Sequence, residues 1–246
     1  MLPRLSIDAS LNCAIELNNL ITISDDTVER YNLPHSIHDS PGSKITPNFD
    51  FVFRTMERHL SAEIPQRLLV HCRQGRSRSA AYVAYYLMRK HGFSLALARL
   101  WLVERRPVVN INSGFMKELK SVEYELNERR SLLAKLRFGG NYLVFRNGKI
   151  QAGTREDATF FIIDTDETGL SIISAMEFGR YFTLNLHEGN LMWVSVDLGL
   201  PLQLHIETRR VSVAKEIMSD SFLQLELSPV RLSLGSKATP FVIEEF

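Results

Sequence analysis

The stretch Val70-His-Cys-Arg-Gln-Gly-Arg-Ser-Arg-Ser79 decides how the first half of the chain is interpreted. Residues 67–71 form a short apolar run, which is typical of a buried strand. Residues 80–90 follow a helical pattern that stops at Gly92, a residue suited to the end of a helix. The sequence therefore predicts a strand, a tight loop and a helix N-terminus in direct succession. In this arrangement the loop can aim several backbone N–H groups at one anion.

Two side chains of this loop have the chemistry needed to hydrolyse a phosphate monoester through a covalent intermediate. Cys72 can attack as a thiolate, because a thiol with an ordinary pKa of about 8.5 ionises more readily beside positive charge or a helix N-terminus. Arg78, six positions later, can bind two phosphate oxygens with its planar guanidinium. The Cys-x5-Arg spacing alone is common by chance, but the flanking strand and helix make the pattern specific.

Other groups of the loop are predicted to support these two. Ser79 can donate a hydrogen bond to the sulfur of Cys72 and make it a better leaving group in a second step. Gly75 allows a turn that a side chain would obstruct, and His71 is expected to order the loop rather than to transfer a proton. The predicted phosphate-binding groups are the backbone N–H groups of Arg73, Gln74, Gly75, Arg76, Ser77 and Arg78.

The first half of the chain alternates strand-like and helical patterns. This alternation predicts an α/β domain over residues 1–130, with a central sheet flanked by helices. The predicted strands are residues 20–24 and 67–71, and the predicted helices are residues 49–60, residues 80–90, a helix capped by Ser94 that ends before Pro107, and a helix that begins near Gly114.

The second half, residues 131–246, reads instead as an all-β domain. Short β-branched and aromatic runs are separated by Gly, Asn, Asp and Pro, and no amphipathic helix is evident. The sequence repeats itself: the equivalent aromatic residues Tyr142, Tyr181 and Phe222 lie 39 and 41 residues apart. Three units of four strands each predict twelve strands that close on one another, with these aromatic residues in the core.

Composition excludes several classes of protein. The net charge is +1, so nothing global indicates nucleic acid or an anionic membrane as a partner. The only cysteines are Cys13 and Cys72, too few for a disulfide framework or a structural zinc site. A disulfide between them is disfavoured by the setting of Cys72, and Cys13 is expected to be a small buried hydrophobic residue. We expect no metal, no cofactor, no signal peptide and no membrane span, and a reduced, cytoplasmic location.

The loop and its flanks resemble the protein-tyrosine phosphatase superfamily. The helix that follows the loop and the segment Val103-Glu-Arg-Arg-Pro-Val-Val-Asn-Ile-Asn-Ser-Gly-Phe115 are similar to the dual-specificity branch. The resemblance covers residues 1–127 and implies that Asn112 supports the phosphate-binding loop. The N-terminus departs from the family. Members begin with a hairpin that contains a Leu-Gly step, whereas the corresponding segment here is shorter and lacks the glycine.

The resemblance also implies a general acid, an aspartate on a loop upstream of the helix that precedes the Cys72 strand. Asp39 is the choice, since it lies 33 residues before Cys72 and Ser40-Pro41-Gly42 signals a loop directly after it. Asp50 is the rival, but it falls inside a predicted helix. Asp25 and Asp26 belong to the end of an earlier strand.

The second half resembles a β-trefoil, most closely the fascin-like type, over residues 131–246. Three four-strand repeats that begin with a Gly-x-Tyr pattern and end with a Phe-x-Ile-Glu pattern carry the likeness. The Gln-x-Trp signature of sugar-binding trefoils is absent. The resemblance implies a targeting domain, with actin or another cytoskeletal protein as a partner.

Three functions are compatible with the sequence. The first is a protein phosphatase acting on phosphotyrosine and on phosphoserine or phosphothreonine, because the short catalytic region leaves no room for the loops that build a deep phosphotyrosine slot. The second is a phosphatase for phosphoinositides or other polyanionic phosphates, suggested by Arg73 and Arg76. The third is a phosphate-binding or cytoskeletal adaptor without activity, which intact Cys72, Arg78 and Asp39 disfavour.

Overall fold

The protein is described by a computed structural model. The described residues are 7–17, 27–64, 66–138, 140–177, 180–187, 190–195, 204–207, 210–213, 222–227, 230–235 and 241–245. The chain divides into two compact units, Met1–Asn127 and Glu128–Phe246. The strand predicted at residues 20–24, with Asp25 and Asp26, lies outside the described residues, as do the side chains of Tyr181 and Phe222.

A short parallel sheet lies in the first unit and positions residues 72–78, the loop that the sequence predicts to bind phosphate and that is called the phosphate-binding loop below. Its described strands are β1 (Ala9–Asn12), β2 (Glu29–Asn32) and β3 (Leu68–His71), in the order β2-β1-β3. The register pairs Asn12 with His71 at the carboxyl end of the sheet. Because the chain leaves β3 at this end, the loop that follows lies where α/β proteins commonly bind ligands.

Four α-helices accompany this sheet in the described residues: α1 (Phe49–Leu60), α2 (Arg78–His91), α3 (Leu95–Arg105) and α4 (Ser113–Asn127). The predicted helix ends are present. Gly92 ends α2 in the left-handed conformation, with φ of 65°. The Ser94 hydroxyl accepts the Leu97 N–H at 3.3 Å and caps α3.

The core of the first unit fixes α2 against its neighbours. Tyr82 of α2, Phe115 of α4 and Leu11 of β1 are fully buried. The buried carboxylate of Glu123 on α4 accepts the Leu95 N–H at 2.6 Å and so joins α4 to the first turn of α3. None of the described helices is long and apolar enough to cross a membrane.

The described part of the second unit contains twelve strands and is built from antiparallel pairs. Phe138, Leu143 and Phe161 are fully buried in its core. Tyr142, predicted to be a core residue, is only half-buried, and its hydroxyl donates to Glu244. The strands are β4 (Arg129–Phe138), β5 (Asn141–Arg146), β6 (Lys149–Gly153), β7 (Phe160–Asp166), β8 (Leu170–Glu177), β9 (Arg180–His187), β10 (Asn190–Ser195), β11 (Leu204–Glu207), β12 (Arg210–Val213), β13 (Phe222–Leu227), β14 (Val230–Gly235) and β15 (Phe241–Glu245).

Candidate active site

Cys72 lies directly after β3, at the start of the loop that leads into α2. Its side chain is buried, and burial alone would raise the pKa of the thiol. The hydroxyl of Ser79 lies 3.2 Å from the sulfur and donates to it, and the backbone N–H groups of Ser79, Gly75 and Gln74 also donate to it. These bonds outweigh burial, so the pKa of Cys72 falls below its ordinary value. The hydrogen bonds to the sulfur therefore favour the thiolate form of Cys72.

The outer side of the loop is held by the segment between α3 and α4. Arg106 donates from Nε to the Gly75 carbonyl at 3.1 Å and from Nη2 to the Gln74 carbonyl at 3.0 Å. The N–H of Asn110 donates to the Arg76 carbonyl at 2.9 Å. Gly75 has φ of +64°, a conformation that favours glycine. With its carbonyls engaged outside, the loop can direct its N–H groups inward, toward the sulfur and a bound phosphate.

The guanidinium of Arg78 is buried and bound by a carboxylate that the sequence did not single out. Arg78 Nη2 lies 2.6 Å from Glu16 Oε1, and Nη1 donates to Glu16 Oε2 at 2.9 Å. Hydrogen bonding to Arg78 holds the pKa of Glu16 below its usual range. Arg78 Nε is buried and has no partner among the described residues. The two-point ion pair therefore orients the guanidinium and leaves Nε available for a phosphate oxygen.

Asp39 lies on the loop between β2 and α1, in contact with the phosphate-binding loop. Its Oδ1 accepts the Ser77 hydroxyl at 2.6 Å and the Asn112 side-chain amide at 2.8 Å. A β-carbon added to Gly114 would lie 2.1 Å from the Pro41 carbonyl oxygen, so the Asp39 loop can approach α4 closely only because residue 114 is a glycine.

Asp50, the rival acid, lies elsewhere. It is exposed on α1 and forms a 2.7 Å ion pair with Arg89 of α2. No described contact connects it with the residues around Cys72. The structure therefore brings Asp39, rather than Asp50, to the phosphate-binding loop.

His71 and Cys13 flank the site without joining its polar network. Burial lowers the pKa of His71, and its Nδ1 is buried without a partner among the described residues, which favours the neutral ring. Cys13 is fully buried, its N–H donates to the His71 carbonyl at 2.7 Å, and burial raises the pKa of its thiol. Both cysteines are free thiols.

Two residues of the site escaped the sequence analysis. Glu16 lies 62 positions from its partner Arg78 and outside any motif, so no local pattern could have found it. Arg106 lies in the segment that resembles the family, just before Pro107. Its bonds to the Gly75 and Gln74 carbonyls depend on the direction in which these carbonyls point in the folded loop, which the sequence does not show.

The sequence of the first unit is similar to that of known proteins. Residues 1–125 match the family model of the dual specificity phosphatase catalytic domain. The chain belongs to this family. Dual specificity protein phosphatase 18 of Homo sapiens is 35% identical over 127 residues, which cover 51% of this chain and 63% of the relative. Protein phosphatase Slingshot homolog 3 of Mus musculus is 32% identical over 120 residues, covering 49% of this chain and 17% of the relative.

A solved structure is also similar to the dual-specificity domain. The crystal structure of human DUSP28 is 29% identical, with a TM-score of 0.43, and the match covers 49% of this chain and 76% of that chain. The chain spans less than two thirds of the length of the two relatives named above. These matches concern about half of the chain.

Proposed function

We propose that the chain hydrolyses phosphate monoesters on proteins through a cysteinyl-phosphate intermediate. One observation carries the proposal: Cys72, with a lowered pKa, begins the loop that leads to Arg78 at the start of α2, and the buried Nε of Arg78 has no partner among the described residues. A thiolate and a phosphate clamp in one anion-binding loop are the parts that this reaction requires. Family membership over residues 1–125 supports the same assignment.

The first step transfers the phosphoryl group to the enzyme. The loop N–H groups and Arg78 bind the phosphate oxygens, and the sulfur of Cys72 attacks phosphorus opposite the ester oxygen. The phosphorus–oxygen bond breaks, and the departing oxygen takes a proton from the carboxyl group of Asp39. The products are cysteinyl phosphate and the free hydroxyl of the substrate.

The second step regenerates the enzyme. Water attacks phosphorus and gives a proton to the carboxylate of Asp39, while the sulfur of Cys72 leaves. The Ser79 hydroxyl, 3.2 Å from the sulfur, stabilises the negative charge that returns to it. Inorganic phosphate is released, and Asp39 is again protonated for the next turnover.

We propose phosphotyrosine together with phosphoserine or phosphothreonine as substrates. Support comes from the similarity to dual-specificity relatives and from the short catalytic region, which favours a shallow site. Arg73 is exposed at the loop, so a polyanionic substrate such as a phosphoinositide is the alternative. Rates on phosphotyrosine, phosphoserine and phosphothreonine peptides and on phosphoinositide vesicles distinguish the two. A higher kcat/KM on the lipid than on every peptide would contradict a protein substrate.

For the second unit we propose a fascin-like β-trefoil that targets the phosphatase domain. In support, one unbroken path of antiparallel pairs runs β15-β4-β7-β8-β11-β12, while β5–β6, β9–β10 and β13–β14 form three hairpins at corresponding places in the repeats. Actin is the proposed partner by analogy of fold. Co-sedimentation of the full chain with actin filaments tests this partner, and a chain that stays in the supernatant contradicts it.

A further inference from the structure

Ser77 occupies an unusual position among the residues of the phosphate-binding loop. Its side chain is buried, and its hydroxyl lies between the Asp39 loop and Asn112, the residue that precedes α4. It is within hydrogen-bonding distance of Asp39 Oδ1, at 2.6 Å, and of the Asn112 backbone nitrogen, at 3.2 Å. Three segments distant in sequence therefore meet at a single hydroxyl group.

The directions of these hydrogen bonds follow from the available donors. Asn112 Oδ1 accepts the Phe115 N–H at 3.0 Å, which fixes the orientation of the amide and leaves Nδ2 facing Asp39. The Ser77 oxygen accepts from the Asn112 backbone N–H and, at 3.4 Å, from Nδ2. Because a hydroxyl has two lone pairs and one proton, its proton is directed to Asp39 Oδ1.

The same bonds distinguish the two oxygens of Asp39. Oδ1 receives two donors, from Ser77 and Asn112. Oδ2 has no donor among the described residues, so the proton of the neutral acid belongs on that oxygen. A general acid must hold its proton toward the leaving group within hydrogen-bonding reach.

We infer that Ser77 is a positioning residue for the general acid: its hydroxyl, set by Asn112, holds Asp39 Oδ1 so that Oδ2 presents the proton to the leaving group. This inference rests on the proposed phosphatase function. It assigns to the Ser77 side chain a role separate from the phosphate contact predicted for its backbone N–H. It also makes the acid loop and the phosphate-binding loop one hydrogen-bonded unit before substrate arrives.

The test compares two substrates whose leaving groups differ in their need for a proton. Para-nitrophenol leaves readily as an anion, whereas the serine oxygen of a phosphoserine peptide must be protonated. Ser77→Ala should lower kcat on the phosphoserine peptide about 10-fold to 50-fold and lower kcat on para-nitrophenyl phosphate by about 3-fold or less. Ser77→Thr keeps the hydroxyl and should restore the peptide rate to within about 3-fold of the parent protein.

A matched control comes from the same acid loop. Ser43 shares a 3.1 Å hydrogen bond with Ser40, and no hydrogen bond among the described residues joins its side chain to Asp39. Ser43→Ala should leave the ratio of the two rates unchanged. Thermal unfolding followed by circular dichroism must show that each variant is folded before the rates are compared.

A double-mutant cycle separates positioning of the acid from support of the loop. Asp39→Asn alone should lower the phosphoserine rate about 100-fold or more, and Ser77→Ala should then add no more than about 2-fold. If Ser77→Ala costs the same factor with and without Asp39, or lowers both substrates equally, the inference is wrong. If Asp39→Asn itself shows no preference for the phosphoserine substrate, the acid assignment in the proposed function fails instead.

Discussion

The ion pair between Glu16 and Arg78 provides a quantitative test of how the phosphate clamp is built. Glu16→Gln keeps the size of the side chain and one acceptor oxygen but removes the charge. The Arg78 side chain is 5% exposed, whereas that of Glu16 is 41% exposed. Breaking a fully buried pair costs about 3–5 kcal/mol, and an exposed pair contributes about 0–1 kcal/mol.

The expected loss lies between these limits because water reaches one partner only. We expect about 1–2 kcal/mol in transition-state stabilisation, which corresponds to a fall of about 5-fold to 30-fold in kcat/KM. The expected cause is loss of orientation: without the charged two-point bond, the Arg78 guanidinium keeps only weaker contacts, such as that of Nη1 with the Ile37 carbonyl at 3.4 Å, and is held less firmly in the position that binds phosphate. Competitive inhibition by inorganic phosphate should weaken by a similar factor.

Asp50→Asn is the matched control. It removes the charge from an ion pair of nearly the same length, 2.7 Å to Arg89, outside the site. In steady-state kinetics with para-nitrophenyl phosphate, kcat/KM of Asp50→Asn should stay within about 2-fold of that of the parent protein. A Glu16→Gln protein that is folded and equally active, or an equal loss in Asp50→Asn, would refute the assigned role of Glu16.

Three further predictions concern the surroundings of the same loop. Ser79→Ala removes a hydrogen-bond donor from the sulfur, so the pKa of Cys72 should rise from its lowered value in the parent protein. The midpoint of iodoacetamide alkylation against pH should therefore move upward, and an unchanged midpoint would exclude this bond as a cause of the lowered pKa. Gly114→Ala places a β-carbon 2.1 Å from the Pro41 oxygen and should displace the loop that carries Asp39. We expect kcat on a phosphoserine peptide to fall about 10-fold or more and kcat on para-nitrophenyl phosphate to stay nearly unchanged, and equal losses on both substrates would contradict this. Arg106→Ala frees the carbonyls of two loop residues and should weaken inhibition by inorganic phosphate about 10-fold, so unchanged inhibition would show that the loop holds its form alone.

The sequence predicted much of the first unit because its signals are local. Gly92 marks the end of α2 through its left-handed backbone conformation, and Ser94 marks the start of α3 through its side-chain hydroxyl. The strand–loop–helix around Cys72 is equally local. Glu16 could not be predicted, because its partner lies 62 positions away and only the packing of the folded chain brings them together.

Asn112 has more hydrogen-bond partners than the resemblance implied. The resemblance implied that it supports the phosphate-binding loop, and the structure places it there, in contact with Ser77. Its amide also donates to Asp39, and its oxygen caps α4 through the Phe115 N–H. A linear pattern gives the residue type at a position, but the three-dimensional structure decides how many partners that residue serves.

The central claim is that the sulfur of Cys72 carries the phosphoryl group during turnover. Rapid-quench mixing with para-nitrophenyl phosphate, followed by mass analysis of the acid-stopped protein, tests it directly. We predict a burst of up to one para-nitrophenol per active site and one added phosphoryl group on the peptide that contains Cys72, both absent in Cys72→Ser. A phosphoryl group on another residue, or turnover by Cys72→Ser above a few per cent of the parent rate, would contradict the claim.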